Sequence, residues 1–371
     1  MRIGVDLSAI QPTKSGVDWY THRVIQEMMN LLGPDEQMYL FSNRETGFEP
    51  EADGRDNVTV VRNGFTYQEP WRQFILPGLL RRHNIDVCFF TNFVLSVAAS
   101  CPMVLTIHDL SVWLYPRTHS LRNVIWARML VPISTRRSRS IIADSNNTKI
   151  DIVHLIKARS SKVSVIHLGA PDECNPEPQP EDEEAMQHYG IIKPYILFVG
   201  TLEPRKNLNM LIQGFDQVAK SRPDIHMVLA GRRGWMAQAI FDELERRDLL
   251  GRVHITGYVK EQYLPALYRQ ASAFIYPSLY EGFGLPPLEA MSSGTPVIVS
   301  NSSSLPEVVG DAGLYVDPLS ADDMARAMEA VVSDPELAMS LRNKGLERAK
   351  QFSWKKTAER TLDILREAAS I

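Results

Sequence analysis

The chain has 371 residues, 44% of them hydrophobic and 23% charged, and carries a formal net charge of -4. That length exceeds one comfortable core and fits two domains of roughly 100 to 200 residues each, while the composition excludes a disordered or fibrous chain. No apolar run reaches the ~20 residues that cross a bilayer, and an acidic chain without a recognisable binding motif argues against nucleic acid as a partner.

Cys88, Cys101 and Cys174 are scattered without metal-ligand spacing and are expected to be reduced, two of them buried in strands. The N-terminus MRIGVDLSAI reads as a first strand rather than a signal peptide, so a cytoplasmic protein is expected. A loop containing Pro12, Ser15 and Gly16 follows, and then Val17 to Leu32 carries apolar residues at near-helical spacing. Strand, glycine-bearing turn and helix is the order of a nucleotide-binding lobe, but Ser15-Gly16 falls well short of a full fingerprint. QMYLFS and NVTVVR read as strands, Trp71 to His83 as a helix, and IDVCFFTN, PMVLTIHDLS, SIIADS and KVSVIHLG as further strands. Apolar runs alternating with helices imply a parallel sheet covered on both faces, which makes residues 1–170 a Rossmann-like lobe.

The charge is unevenly spread. Residues 1–170 hold 19 Lys and Arg against 15 Asp and Glu, whereas the remainder holds 21 against 29. Arg117, Arg122, Arg128, Arg136, Arg137 and Arg139 follow one another without an acidic residue between them. Leu121, Ile125, Trp126, Met129 and Leu130 supply an apolar counterpart at helical spacing. Either this is a solvated helical face, or it is a patch for an anionic membrane surface or an acidic acceptor, which would place the protein peripherally at the inner face of the plasma membrane.

Residues 171–194 are acidic and proline-rich and read as a linker. A second αβ alternation fills 195–353, with YILFVG, HMVLAG, VHITGY, AFIYPS, TPVIVS and LYVDP as strands. Doubly wound sheets bind ligands at the carboxyl ends of their strands, so GTLEPRKN, AGRRGW, TGYV, YEGFG and SNSSSLPEV belong to one rim. A last helix from Trp354 to Ala369 has Ser353 as its N-cap.

The chemistry concentrates in AFIYPSLYEGFGLPPLEAM, Ala273 to Met291. A strand, a glycine loop and a helix make a phosphate cradle, because glycines let backbone N–H groups approach an anion at a helix start. Glu281 and Glu289 would repel that anion and must be aimed at hydroxyls, Glu289 at a ribose diol and Glu281 nearer a transferred group. A glycosidase acid and base pair is the competing reading. Arg205 and Lys206 tip the balance towards phosphate, since two cations at the positive end of a helix dipole imply a bound anion. His108 and Asp109 end the strand PMVLTI on the first lobe's rim. Asp144, Ser145, Asn146 and Thr148 look like a helix cap with acceptor contacts. No Asp-X-Asp metal motif stands at a strand end, so no metal or resident cofactor is expected and the cations take that role.

GTLEPRKNL, TGYV, SLYEGFGLPPLEAMSSGTPVIVSNSSSLPEVVGDAGLYVDP and His108-Asp109 together resemble the family 4 retaining glycosyltransferases of the GT-B fold. Glu281 and Glu289 match that family's paired-glutamate signature. The resemblance implies an α/β architecture of two Rossmann-like doubly wound domains facing each other across a cleft. The acceptor-binding domain would be residues 1–170 with 354–371, and the nucleotide-sugar domain 195–353. It implies that Arg205 and Lys206 hold the donor diphosphate, Glu281 the donor sugar and Glu289 the ribose. Gly282, Phe283, Gly284 and Leu285 would contact the same ligand, Val259 would border the base, Gly16 would approach the diphosphate, and His108 would lie near the sugar. Asp109 and Ser145 are the acceptor-side candidates. Ser15-Gly16-Val17-Asp18-Trp19 departs from the usual two-glycine first loop, and Asp18 adds a negative charge there. The implied reaction is metal-independent transfer of a hexose from a nucleoside diphosphate sugar, used as co-substrate, with retention of configuration. TNFVLSV and VLTIHDLSVWLYP are similar to mannosyltransferases of bacterial surface polysaccharides. GDP-mannose is therefore the first expected donor and UDP-glucose the second, with a saccharide or lipid-diphosphate-linked acceptor. The rivals are a nucleotide-sugar isomerase or epimerase of the same fold and a non-catalytic sugar- or lipid-binding protein.

Overall fold

The structure, a computed structural model, describes residues 1–10, 16–48, 54–234 and 236–370. Pro12 and Ser15 of the first loop, and Trp235 of AGRRGW, lie outside the described residues. The chain forms two compact units, one of Met1–Pro116, Ser120–Gly169 and Ser353–Ile371, the other of Arg117–His119 and Ala170–Phe352.

Among the described residues the first unit has seven parallel strands in the order β3-β2-β1-β4-β5-β6-β7. They are β1 Arg2–Asp6, β2 Gln37–Ser42, β3 Val58–Arg62, β4 Val87–Phe90, β5 Met103–Ile107, β6 Ser140–Ala143 and β7 Val163–Val165. Every residue of β4 and β5 is buried, as expected where helices cover both faces and strands show no alternation. The helix Gly16–Asn30 buries Tyr20, Val24, Ile25 and Met28 against this sheet. The C-terminal helix Trp354–Ala369 packs beside it and buries Trp354, Leu362 and Leu365. Its entry needs Gly169, where an added Cβ would sit 2.2 Å from the Trp354 backbone nitrogen. Ser353 precedes the helix, but its hydroxyl makes no capping bond; its carbonyl accepts from the Thr357 N–H at 3.0 Å.

The expected helix over Trp71 to His83 is two elements. A π turn, Trp71–Ile75, runs into an α-helix, Leu76–Arg82. Pro77 has no N–H to offer Gln73, and the Leu76 N–H reaches back to the Trp71 carbonyl instead. The π turn buries the Arg72 guanidinium, which pairs with Asp6 at the tip of β1 at 2.7 Å and donates to Ser8 Oγ at 3.1 Å.

In the second unit the described strands are β8 Tyr195–Val199, β9 His226–Ala230, β10 Val253–Gly257, β11 Ala273–Tyr276, β12 Val297–Ser300 and β13 Gly313–Val316. All are parallel, in the order β10-β9-β8-β11-β12-β13. In both sheets the order reverses beside the first strand, which is the doubly wound Rossmann pattern, and ligands bind at such switch points.

Two expectations are corrected here. Residues 181–189, read as linker, form the helix Glu181–Tyr189 within the second unit, and its Asp182 pairs with Arg269 at 2.7 Å. Acidic residues at 181 to 184 fill its first turn, where they suit the positive end of the dipole. Of the three free cysteines only Cys88 is in a strand; Cys174 is buried in a loop and Cys101 is partly buried outside the strands. No described helix is long and apolar enough to cross a membrane.

Candidate active site

The second unit's switch point lies between β8 and β11, and the segments leaving those two strands carry the charged cluster. After β8 the chain makes a 3-10 turn, Pro204–Lys206, and enters the helix Leu208–Ser221 through Asn207. Asn207 Nδ2 donates to the Pro277 and Pro318 carbonyls at 3.2 and 2.6 Å, which ties the turn to the segments after β11 and β13. The turn thereby fixes two adjacent cations. Lys206 Nζ donates to Glu281 Oε1 and to the Tyr276 hydroxyl, each at 2.6 Å, and lies 4.9 Å from the Tyr276 ring centre. Arg205 donates to the Tyr280 carbonyl at 2.7 Å and to Glu203 at 2.8 Å, and its Nη1 is 3.0 Å from Glu281 Oε1.

Burial alone would push the Glu281 carboxyl up, but Arg205 and Lys206 overcome it and hold the group down to about 2. The Lys206 ammonium is pushed below its ordinary range by burial and by Arg205, in spite of Glu281. Both shifts have one origin: two cations share one buried carboxylate. In this arrangement Glu281 Oε1 is occupied by both cations. A polyanion arriving here would share Arg205 and Lys206 with Glu281 and Glu203, relieving cations already crowded together.

The glycine loop is held from behind by a serine run whose role the sequence did not reveal. Ser300 and Ser302 donate to the Ser278 carbonyl at 2.5 and 3.1 Å. Ser303 Oγ accepts from the Glu281 N–H at 2.8 Å, and Ser304 Oγ lies 3.0 and 2.7 Å from the Glu281 and Phe283 carbonyls. Gly284 has φ 114°, and a Cβ there would meet Leu305 at 2.8 Å, so only glycine fits. It opens the helix Leu285–Ser292, whose early positions Pro286 and Pro287 have no N–H. The amide contribution expected from this helix start is thinned accordingly, and the side-chain cations carry more of any anion contact. Glu289 is half-buried on that helix and accepts from the Tyr268 hydroxyl at 2.8 Å. Phe283 is buried edge-on to Phe352, Leu285 is half-buried, and Val259 is buried just after β10.

In the first unit Gly16 is exposed at the start of its helix, and an added Cβ there would meet nothing within 4 Å. His108 lies at the carboxyl end of β5 and is 8% exposed. Its Nδ1 is 2.7 Å from Asp144 Oδ2 and its Nε2 is 2.8 Å from the Thr91 carbonyl. A carbonyl only accepts, so Nε2 bears a proton, and a second proton is shared between Nδ1 and Asp144. Burial opposes charge on the imidazole, yet Asp144 and the Thr91 carbonyl raise its pKa above the ordinary value. Burial raises the Asp144 carboxyl more than His108 lowers it. Tyr20 packs edge-on to His108 at 4.7 Å. Ser145 is a cap, its Oγ accepting from the Thr148 N–H at 3.0 Å, while Asp109 Oδ1 accepts from the Ser111 N–H and hydroxyl at 2.9 and 2.8 Å. The sequence placed Asp144 with the cap; spatially it belongs to His108. Among the described residues no group of three or more His, Cys, Asp or Glu is arranged to hold a metal ion.

Residues 182–348 match the family model for glycosyl transferases group 1, and residues 15–173 match that for glycosyltransferase family 4. The chain is 35% identical over 262 residues to O-antigen chain mannosyltransferase B of Escherichia coli, covering 70% of this chain and 69% of that protein. It is 29% identical over 241 residues to O-antigen chain mannosyltransferase RfbU of Salmonella typhimurium, covering 64% of this chain and 63% of that protein. In fold it is similar to HepE of Anabaena, solved with UDP and glucose, with a TM-score of 0.77 and 19% identity over 99% of this chain and 100% of that one. Paired glutamates flanking a glycine loop, adjacent cations at the switch point and matches over both units have one joint conclusion: the chain belongs to the family 4 glycosyltransferases, the glycosyl transferases group 1, and has their GT-B architecture of two Rossmann-like domains.

Proposed function

We propose that this glycosyltransferase moves mannose from GDP-mannose to a saccharide or lipid-diphosphate-linked acceptor, with retention of configuration and without a metal ion, in the synthesis of a surface polysaccharide or glycolipid. The observation that carries the reading is the buried Arg205, Lys206 and Glu281 cluster at the β8 and β11 switch point. Arg205 and Lys206 neutralise the diphosphate as the anomeric C–O bond breaks, which is electrostatic stabilisation by preorganised donors. The acceptor oxygen bonds to the anomeric carbon on the face the diphosphate leaves, and its proton passes to the leaving phosphate oxygen. Glu289 takes the ribose, Val259 borders the base, and Gly282, Phe283, Gly284 and Leu285 line the donor. Glu281 meets the donor sugar once the diphosphate takes over the cations. Gly16 and His108 serve the diphosphate and sugar from the first unit, and Asp109 and Ser145 hold the loops on its acceptor side. The choice of mannose is supported by the names of the sequence relatives.

An anionic membrane surface is part of the same reading. Leu121, Ile125, Trp126 and Met129 are 74, 57, 46 and 50% exposed on the helix Leu121–Arg137, among exposed Arg122, Arg128, Arg136 and Arg137. Thermal-shift titration with GDP-mannose, UDP-glucose, UDP-N-acetylglucosamine and ADP-glucose tests the donor, because a ligand bound to the folded state raises its stability. GDP-mannose is expected to give the largest shift, and a larger shift from UDP-glucose would overturn the choice. NMR of the product's anomeric centre tests retention. Activity surviving a chelator tests metal independence.

A further inference from the structure

A second cationic cluster lies in the first unit at the opposite end of β6 from His108 and Asp144. There the helix Leu121–Arg137 ends, the chain turns at Ser138 and Arg139, and β6 begins. Residues 156–162, leading into β7, and the last turns of the C-terminal helix close the sides of a cavity of about 700 Å³. Its charged lining is Arg136, Arg139, Lys157, Arg159 and Lys162 against Glu367 alone.

Lys162 is committed within this group. Its Nζ donates to the Thr135 and Arg136 carbonyls at 2.7 and 3.1 Å, closing the carbonyl end of the helix. Burial and the neighbouring Arg159 and Arg139 push its ammonium below the ordinary value. The other four cations form no ion pair among the described residues, and Arg139, Lys157 and Arg159 are exposed on the cavity wall. Lys157 is held at φ 61°, a left-handed conformation unusual for a residue with a side chain. Like charges gathered around a cavity with one carboxylate repel one another, and a multiply charged anion would relieve that repulsion. Guanidinium forks match the oxygens of a phosphoryl group better than a point cation does.

We propose that this cavity binds a phosphate-bearing anion, with Arg139 and Arg159 as its principal donors. The site is separate from the donor cluster and does not depend on it. Two sources share the chemistry: a free phosphate or diphosphate, and a phospholipid headgroup, since the exposed apolar face belongs to the helix that ends at the cavity.

Calorimetric titration of the full chain with inorganic pyrophosphate, compared with Arg139→Gln/Arg159→Gln, isolates this site because any binding elsewhere is common to both proteins. The affinity of one class of site is expected to fall roughly tenfold or more, the effect of losing charged hydrogen bonds, with unliganded thermal stability unchanged or raised. Indistinguishable isotherms would overturn the proposal. Arg159→Gln alone, at an exposed position, repeats the comparison should the double variant fold poorly. Co-sedimentation with phosphatidylglycerol–phosphatidylcholine vesicles separates the sources. Vesicle binding lost with the substitutions and displaced by pyrophosphate assigns the headgroup; vesicle binding indifferent to both, with the pyrophosphate effect retained, assigns a free phosphate.

Discussion

Glu281 accepts from Lys206 while touching Arg205, and that single buried oxygen sets the electrostatics of the donor site. A carboxyl held low in the folded chain stabilises it above the unfolded value, and the contribution is lost as pH falls from 4.5 towards about 2. Across that window the denaturation midpoint of the wild type should fall more steeply with acid than that of Glu281→Gln; parallel slopes would count against the pair. His108 behaves in the opposite sense. Its raised pKa means a contribution present below the unfolded value of 6.5 and lost as pH rises through the folded one. Asp144→Asn should lower the His108 pKa in an NMR titration of the imidazole, and an unmoved titration would show that Asp144 does not govern it. That Arg205, Lys206 and Glu281 stand at strand ends was legible, because the strands they follow are continuous apolar runs. The pairing of Arg205 and Lys206 with Glu281 was not, since Lys206 and Glu281 are 75 apart in sequence.

At the scale of elements, near-continuously apolar strands such as β4, β5 and β8 were readable because burial on both faces removes any alternation. The turn at Trp71–Ile75 was not, because hydrophobic spacing does not register that Pro77 withholds a donor from the preceding turn. The helix Glu181–Tyr189 hid behind an acidic composition that disorder and a helix N-terminus share. The π turn has a stability consequence. Arg72→Met leaves Asp6, 3% exposed, without its partner. The expected cost is about 3–5 kcal/mol by chemical denaturation, and adding Asp6→Asn should recover part of it. A loss below about 1 kcal/mol would place the pair among energetically idle ones.

For the whole molecule, the two αβ series and the return of the C-terminal helix to the first unit fix the organisation. Thr357 Oγ1 donates to the His167 carbonyl at 2.7 Å, and Arg366 Nη2 reaches Glu36 at 2.9 Å, so this helix closes the unit on both sides. Removing residues 354–371 should strip hydrogen-exchange protection from the strands of residues 1–169 while leaving those of 195–316 protected; equal loss in both would contradict two separate cores. Two periodic halves were visible in the sequence, whereas the Arg139 and Arg159 cavity was not, because its cations come from two segments, 136–139 and 157–162, that only the fold brings together. In the proposed reaction the cations after β8 neutralise the leaving diphosphate. Mannosyl transfer by Lys206→Ala, with folding verified by circular dichroism, tests it most directly. A folded protein whose turnover is reduced roughly a hundredfold or more is expected; near-normal turnover would show that this cation does not stabilise the leaving group.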